Sequence, residues 1–227
     1  MKNLIIALLS LLSYTTMAQE IDAESWKKEA QTNIRLAPKY GNAIKSEAEK
    51  VADAELIKSY TEREGTPKKA SELLVQLGFS YLNKGDLKTA MYRFNQAWLL
   101  DPKNENVQWG FGGVYFRLGD FESAIEQYDE GLKINPKSSD ILTDKATIYV
   151  SKYDKSESAA DLKMATSLFK QSYKFDPTNQ NTLFKMSVLY YITDDCVNAK
   201  RYFLECKKLG GKQITPGYEE ALYKKCK

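Results

Sequence analysis

A block of characteristic residues recurs every 34 positions in the middle of this 227-residue chain. Each copy has a small residue, an aromatic residue, a Gly-Asp pair, an alanine, a second aromatic residue and an Asp-Pro or Asn-Pro pair. The two clearest copies are Gly78, Tyr81, Gly85-Asp86, Ala90, Phe94, Asp101-Pro102 and Gly112, Tyr115, Gly119-Asp120, Ala124, Tyr128, Asn135-Pro136. A period of about 20–50 residues indicates stacked structural repeats, in which each unit buries its apolar face against its neighbours.

The residues inside the block predict two antiparallel helices per copy. Gly85 and Gly119 suit the end of the first helix, because glycine adopts the left-handed conformation at little cost. The aspartate after each of them suits the N-cap of the second helix. Pro102 and Pro136 end that second helix, since the residue before a proline is pushed out of the helical region.

This pattern resembles the tetratricopeptide repeat (TPR). Two less regular units follow the clear ones; the third is seven residues longer than 34, and the fourth has Asp194-Asp195 in place of the Gly-Asp turn. The resemblance implies an all-α fold, a right-handed solenoid of helical hairpins with about four units. We place the array at 67–212, with units at 71–104, 105–138, 139–179 (which holds the insertion) and 180–212.

The N-terminus has the features of an export signal. Lys2 precedes the apolar stretch 4–12, and Thr16-Met17-Ala18 supplies small residues for cleavage. We therefore expect a signal peptide at residues 1–18, cleavage after Ala18 and a periplasmic or secreted mature chain. An uncleaved membrane anchor is the alternative, but the apolar stretch is shorter than the roughly 18–20 residues needed to span a bilayer.

Helical segments are expected on both sides of the array. Residues 19–66 predict one amphipathic helix over 22–37 and a second over about 43–62, with Ala48, Val51, Ala52, Leu56 and Tyr60 on its apolar side. These helices either cap the stack, as atypical terminal repeats do, or fold as an arm into its groove. Residues 213–227 predict a C-terminal capping helix that Thr215 opens as N-cap.

Composition argues against several function classes. The chain has no histidine, which removes the commonest general base and most zinc sites, and its three cysteines have no CxxC spacing. We expect no enzyme activity, no cofactor and no metal. Without residues 1–18 the chain has 32 basic and 30 acidic residues, so it lacks the basic excess typical of nucleic-acid binding.

The cysteines raise the question of a disulfide, because exported proteins meet an oxidising compartment. Cys196 begins the second helix of the fourth unit, and Cys226 ends the tail helix that should run antiparallel to it. We predict that these two can pair, and that Cys206 is a buried free thiol at a packing position. Three unpaired thiols are the alternative.

The segment Trp109-Gly110-Phe111-Gly112-Gly113 is rich in glycine inside a predicted helix. It lacks the preceding strand and the Lys-Ser/Thr of a phosphate-binding loop. Each additional glycine costs about 1 kcal/mol relative to alanine in a helix interior. We therefore expect a close approach there, either by a ligand or partner or by a neighbouring helix of the same chain.

The resemblance also implies a binding surface, because the first helices of TPR units line a concave groove. On this chain the corresponding partner-binding residues are Val75, Phe79, Leu82, Trp109, Gly113, Phe116, Val150, Phe184, Val188 and Tyr191. A Lys/Asn/Arg clamp for chaperone C-termini is not carried over, since its places hold Val75, Phe79, Asp140 and Asp144.

We interpret the chain as an exported protein-interaction scaffold that binds a peptide or helix in an aromatic-lined groove. The alternative is a cell-envelope protein that binds a small ligand such as a glycan or peptidoglycan fragment. A structural role, in an envelope complex or by self-association, stays open. The mature chain is expected to have a protein or peptide partner, no nucleic acid and no membrane span.

Overall fold

The computed structural model describes residues 22–227, which form helices and no strands. The predicted signal peptide and its cleavage position lie outside these residues. The described part has eleven α-helices: α1 Ala23–Ala30, α2 Glu47–Glu64, α3 Pro67–Asn83, α4 Leu87–Leu100, α5 Glu105–Arg117, α6 Phe121–Ile134, α7 Ser139–Ser156, α8 Ala159–Phe175, α9 Gln180–Ile192, α10 Cys196–Lys208 and α11 Tyr218–Lys225. The predicted all-α class of helical hairpins is confirmed.

The hairpins form where the repeated residues predict them. The side chains of Asp86 and Asp120 accept the backbone N–H of Thr89 (3.0 Å) and Ser123 (3.2 Å), so both aspartates cap the second helix of their unit. The glycine before each aspartate has a positive φ, as the tight turn requires. Asp195 caps α10 in the same way, with its carboxylate 3.1 Å from the backbone nitrogen of Asn198.

The chain divides into two compact units, which we describe separately. The N-terminal unit, residues 22–136, contains the hairpins α3–α4 and α5–α6. The C-terminal unit, Lys137–Lys227, contains the hairpins α7–α8 and α9–α10 and the helix α11.

The extra residues of the third repeat lengthen its helices. Helix α7 has 18 residues and α8 has 17, against 13 in α5 and 14 in α6. The turn between α7 and α8 is short, and Glu157 takes the left-handed conformation there. The insertion therefore adds helical turns to this hairpin and leaves a short connection.

The N-terminal segment does not form the single helix predicted over 22–37. Helix α1 ends at Ala30, a 3₁₀ turn follows at Ile34–Leu36, and residues 38–42 make a turn with left-handed backbone angles. The indole nitrogen of Trp26 donates to the carbonyl of Leu36 at 3.2 Å, and both side chains are fully buried. Folding back brings the two side chains together and places both in the core.

Residues 22–43, here called the N-terminal strap, lie along the second helices of the unit. The buried Asn95 on α4 donates to the carbonyls of Arg35 (2.9 Å) and Ala37 (3.0 Å) and accepts from the backbone N–H of Tyr40 (3.2 Å). Three ion pairs add to this contact: Lys27–Asp120 at 2.8 Å, Glu29–Lys88 at 2.7 Å, and Lys39–Glu130. The strap therefore matches neither predicted arrangement, since it packs on α4 and α6.

Helix α2 packs on the first hairpin with only part of its predicted apolar side. Leu56, Ile57 and Tyr60 contact the core of the N-terminal unit. In contrast, Ala48, Val51 and Ala52 are exposed. The predicted apolar side is therefore confirmed for Leu56 and Tyr60 and wrong for Ala48, Val51 and Ala52, which lie nearer the N-terminal end of the helix.

Helix α11 begins later than predicted. Gly217 occupies the N-cap with a left-handed backbone, and the carbonyl of Thr215 accepts the backbone N–H of Tyr218 at 3.2 Å. The predicted N-cap role of Thr215 was therefore wrong. The glycine turn directs Tyr218 and Leu222 inward, and both are fully buried.

Candidate functional site

Two aromatic side chains from neighbouring repeats meet on the first helices of the N-terminal unit. The ring centroids of Phe79 on α3 and Trp109 on α5 are 4.4 Å apart, with planes inclined by 51°. Phe79 also meets the buried Phe94 edge-on at 5.2 Å. Phe79 and Trp109 are partly exposed, so this pair packs on the core and also reaches the surface.

The surface continues along α5 toward its C-terminal end. Phe116 stacks on Phe121, with centroids 5.8 Å apart and planes 21° apart, and is partly exposed. Gly113 lies beside Leu82, whose Cδ2 would be 2.9 Å from a β-carbon added to the glycine. We call Phe79, Trp109, Gly113 and Phe116 the first-helix surface. Val75 and Leu82, also predicted here, are buried and support it from below.

The four predicted groove residues of the C-terminal unit are buried. Exposure is 3 % for Val150, 8 % for Phe184, 2 % for Val188 and 8 % for Tyr191. The ring of Tyr218 from α11 covers two of them, with centroids 5.3 Å from Phe184 and 5.8 Å from Tyr191. These residues are packing contacts in this structure and do not line an open groove.

Tyr218 was not among the predicted site residues; it lies on the helix that was predicted to cap the array. Its hydroxyl lies 2.7 Å from that of Ser187, which in turn donates to the carbonyl of Ala199. Burial raises the pKa of the Tyr218 hydroxyl above its usual range, with a smaller opposing effect from Ser187. The ammonium of Lys225 donates to the carbonyl of Tyr191 at 2.7 Å and lies 4.5 Å from its ring centroid.

A disulfide fastens α11 to the last hairpin. Cys196, the first residue of α10, is bonded to Cys226, the residue after α11, with 5.3 Å between their α-carbons. Cys206 is a free thiol with no exposure, and burial raises its pKa. The disulfide fixes α11 to α10, and α11 places the Tyr218 ring over Phe184 and Tyr191.

The glycines of α5 accommodate rings of the same unit. A β-carbon at Gly110 would lie 2.3 Å from the Phe94 ring, and one at Gly78 would lie 2.4 Å from the same ring. Gly112 has the same relation to Tyr128, at 2.2 Å. A close approach was expected either from a ligand or partner or from a neighbouring helix of the same chain. The structure shows the second, since Gly78 on α3 and Gly110 on α5 flank the Phe94 ring of α4.

Asp140 and Asp144, at two of the places where a chaperone-binding clamp would lie, both form contacts with neighbouring side chains. Asp140 accepts from the side-chain amide of Asn179 at 2.7 Å, and Asp144 pairs with Lys185 at 2.8 Å. Burial raises the pKa of Asp140, and the hydrogen bond from Asn179 opposes this effect. A clamp that binds a carboxylate is basic, whereas Asp140 and Asp144 are acidic.

A cavity of about 200 Å³ lies in the N-terminal unit, away from the predicted groove residues. Its walls are the strap and the helices α5 and α6: Ala37, Pro38, Lys39, Gly41, Asn42, Tyr115, Ser123, Glu126, Gln127 and Glu130. This volume is smaller than the roughly 300–1,000 Å³ typical of small-molecule pockets. The cavity gives no support to the glycan-binding alternative.

Residues 22–227 contain neither a candidate metal site nor a candidate membrane span. No cluster of acidic, cysteine or histidine side chains in this range could hold a metal ion. None of the helices in the same range combines the length and the apolar character needed to cross a membrane.

Comparisons with known proteins agree with the repeat pattern. A family model described as tetratricopeptide repeat matches residues 81–148. The comparison with curated proteins gives no match. A thermophilic TPR protein of Thermus thermophilus is similar in structure, with a TM-score of 0.58 and 18% identity over 68% of this chain and 80% of that one.

A second solved structure covers almost the whole chain. The APC/C hetero-tetramer Cut9–Hcn1 is similar with a TM-score of 0.55 and 13% identity, over 99% of this chain and 38% of that one. Identities this low support the fold and nothing finer. The family match identifies tetratricopeptide repeats within residues 81–148, and the repeated hairpins and these structural neighbours show that the chain has the same helical-hairpin fold.

Proposed function

We propose that the chain is a protein-interaction module that binds a peptide or helix of a partner on the first-helix surface of its N-terminal unit. TPR proteins are generally non-catalytic scaffolds with protein partners. The observation that carries the proposal is the Phe79–Trp109 pair, whose rings are 4.4 Å apart and partly exposed on adjacent first helices. Aromatic side chains anchored in a core and open on one side are typical interface hot spots.

The burial of Phe184 and Tyr191 restricts the proposal to the N-terminal unit. Val75 and Leu82 are buried next to the surface and hold its helices in place, so they contribute through packing. The anchors are therefore Phe79, Trp109 and Phe116.

A matched pair of tryptophan variants tests this proposal. Trp109→Ala removes an anchor on a first helix, whereas Trp98→Ala removes a partly buried tryptophan of the second helix α4. Partners captured from cell-envelope extract by the unaltered chain should be lost with Trp109→Ala and kept with Trp98→Ala. Circular dichroism checks that both variants are folded. If Trp109→Ala does not fold, Phe116→Ala replaces it as the anchor variant. Equal loss or equal retention with the two tryptophan variants would overturn the proposal.

We also propose that the chain acts outside the cytoplasm. The signal-like sequence of residues 1–18 and the disulfide support this, because stable disulfides are typical of oxidising compartments. N-terminal sequencing of the protein from a periplasmic or secreted fraction should begin at Gln19. A chain that retains Met1 and stays in the cytosolic fraction would contradict export.

A further inference from the structure

Helix α2 has two apolar faces, and only one of them is covered. It is 18 residues long and contains no buried residue. Leu56, Ile57 and Tyr60 pack partly on the core, whereas Val51 on the opposite face is 56 % exposed. Helices in proteins owe most of their stability to packing of an apolar stripe, so a second uncovered stripe is unusual. The exposed face also includes Ala48, and the fully exposed Ile44 precedes it.

Helix α10 has a comparable uncovered stripe. Val197 is 80 % exposed and Leu204 is 51 % exposed. These residues are seven apart, two helical turns, and so they lie on the same side. The opposite side of the helix holds the buried Ala199, Phe203 and Cys206.

The charges around the two stripes are complementary. Glu55 lies one turn after Val51, and Lys208 lies one turn after Leu204. On the other side of each apolar residue the charge is already paired within its own helix, Glu47 with Lys50 at 2.6 Å and Arg201 with Glu205 at 3.1 Å. Over its whole length α2 has six acidic and three basic residues, whereas residues 196–227 have eight basic and three acidic ones. The exposed apolar face of α2 thus lies on a helix with an acidic excess, and that of α10 lies in a segment with a basic excess.

We propose that α2 of one copy of this chain docks on α10 of a second copy. The two faces differ, so each contact joins an α2 face of one copy to an α10 face of the other. Burial of Val51 against Leu204 supplies the apolar contact, and the flanking charges set its orientation. Added salt weakens the association because these charges are exposed.

Two substitutions, one on each face, test the geometry. Val51→Lys blocks the α2 face and Leu204→Glu blocks the α10 face, in each case with a charge that repels the partner's flanking residues. Sedimentation velocity over a dilution series should show dimers and longer species for the unaltered chain. Each variant alone should be monomeric, with a dissociation constant at least ~10-fold higher. An equimolar mixture of the two should give a 1:1 dimer and nothing longer, since each retains one intact face.

A third variant controls for unspecific effects of an added charge. Met164→Glu on α8 changes an apolar residue of similar exposure, 44 %, outside both stripes and should associate like the unaltered chain. The proposal is overturned if the unaltered chain is monomeric at every concentration or if Met164→Glu weakens association equally. It is also overturned if either single variant still dimerises, or if the mixture does not. Circular dichroism confirms that all variants are folded.

Discussion

The two units place equivalent residues in opposite environments. Trp109 in the second repeat and Phe184 in the fourth occupy the same repeat position on their first helices. Trp109 is partly exposed beside Phe79, whereas Phe184 is 8 % exposed beneath Tyr218. The same repeat position is therefore exposed or buried according to which other segment of the chain covers it.

The units also differ in how their additional segments are attached. In the N-terminal unit the strap packs on the second helices through Asn95 and three ion pairs, which leaves the first-helix surface uncovered by the strap. In the C-terminal unit α11 contacts the first helix α9 and is fixed by a disulfide. The attachment site of a terminal segment therefore determines which first helices remain exposed.

The largest expected effect comes from removing the ring that covers the C-terminal unit. Tyr218→Ala deletes a fully buried aromatic side chain and should lower the free energy of unfolding by about 3–5 kcal/mol. Urea denaturation followed by far-UV circular dichroism measures the loss. Tyr223→Ala, on the same helix but 43 % exposed, is the control and should cost much less. Similar losses for the two variants would show that Tyr218 is not a core residue.

Loss of the disulfide should have a slightly smaller effect on the same unit. Cys196 and Cys226 are 30 residues apart, and a bridge of this size is worth ~3–4 kcal/mol when its main effect is on the unfolded chain. Substitution of both by serine should lower the free energy of unfolding by this amount.

A reducing agent provides the control for the bridge. It should lower the stability of the unaltered chain to that of the double serine variant and leave the variant itself unchanged. An unaltered chain whose unfolding midpoint does not respond to the reducing agent would argue against a stabilising bridge.

The strap of the N-terminal unit can be broken at one side chain. Asn95→Ala removes three hydrogen bonds to the strap and should cost about 2–3 kcal/mol, since buried backbone groups lose their partner. Tryptophan fluorescence is a selective probe, because Trp26, Trp98 and Trp109 all lie in this unit and Lys137–Lys227 contains no tryptophan. Asn83→Ala, an exposed asparagine of α3, should be nearly neutral. An Asn95 variant as stable as the Asn83 variant would mean that the strap is held by other contacts.

The sequence predicted the hairpins well because their signals are local. The Gly-Asp turns act within a few residues. Gly78 and Gly112 are 34 residues apart, like Phe94 and Tyr128, the rings that they accommodate. The strap could not be predicted in this way. Its path depends on bonds from Asn95 to residues 55–60 positions away, and its left-handed turn includes Lys39 and Tyr40, which do not favour that conformation.

The candidate site was predicted in part for the same reason. Repeat position identified Phe79, Trp109 and Phe116, whose exposure depends on neighbouring repeats. It could not separate them from Phe184 and Tyr191, whose burial depends on a ring more than 25 residues further along the chain. Repeat position gives the direction of a side chain, and only the complete structure shows what lies above it.

The smallest expected effect concerns the ion pair between the strap and α6. Burial alone would raise the pKa of Asp120, but the Lys27 ammonium at 2.8 Å and the two groups of Ser123 outweigh it, so the pKa is lowered from its usual 3.8. A carboxyl with a lowered pKa in the folded state stabilises the fold above pH 3.8 and loses this contribution as the pH falls through its folded pKa. Lys27→Met should therefore reduce stability at pH 7 by less than Asn95→Ala does, and the deficit should shrink on acidification below pH 3.8.

Tryptophan fluorescence during urea denaturation at several pH values measures this deficit. Lys103→Met, an exposed lysine in the turn between the first two repeats, is the matched control and should give a small difference that does not depend on pH. A Lys27 deficit that stays constant from pH 7 down to strong acid would show that the ammonium acts through packing of its aliphatic chain. The ion pair would then not be what joins the strap to the second repeat, and the Lys39–Glu130 pair would be left to make that contact.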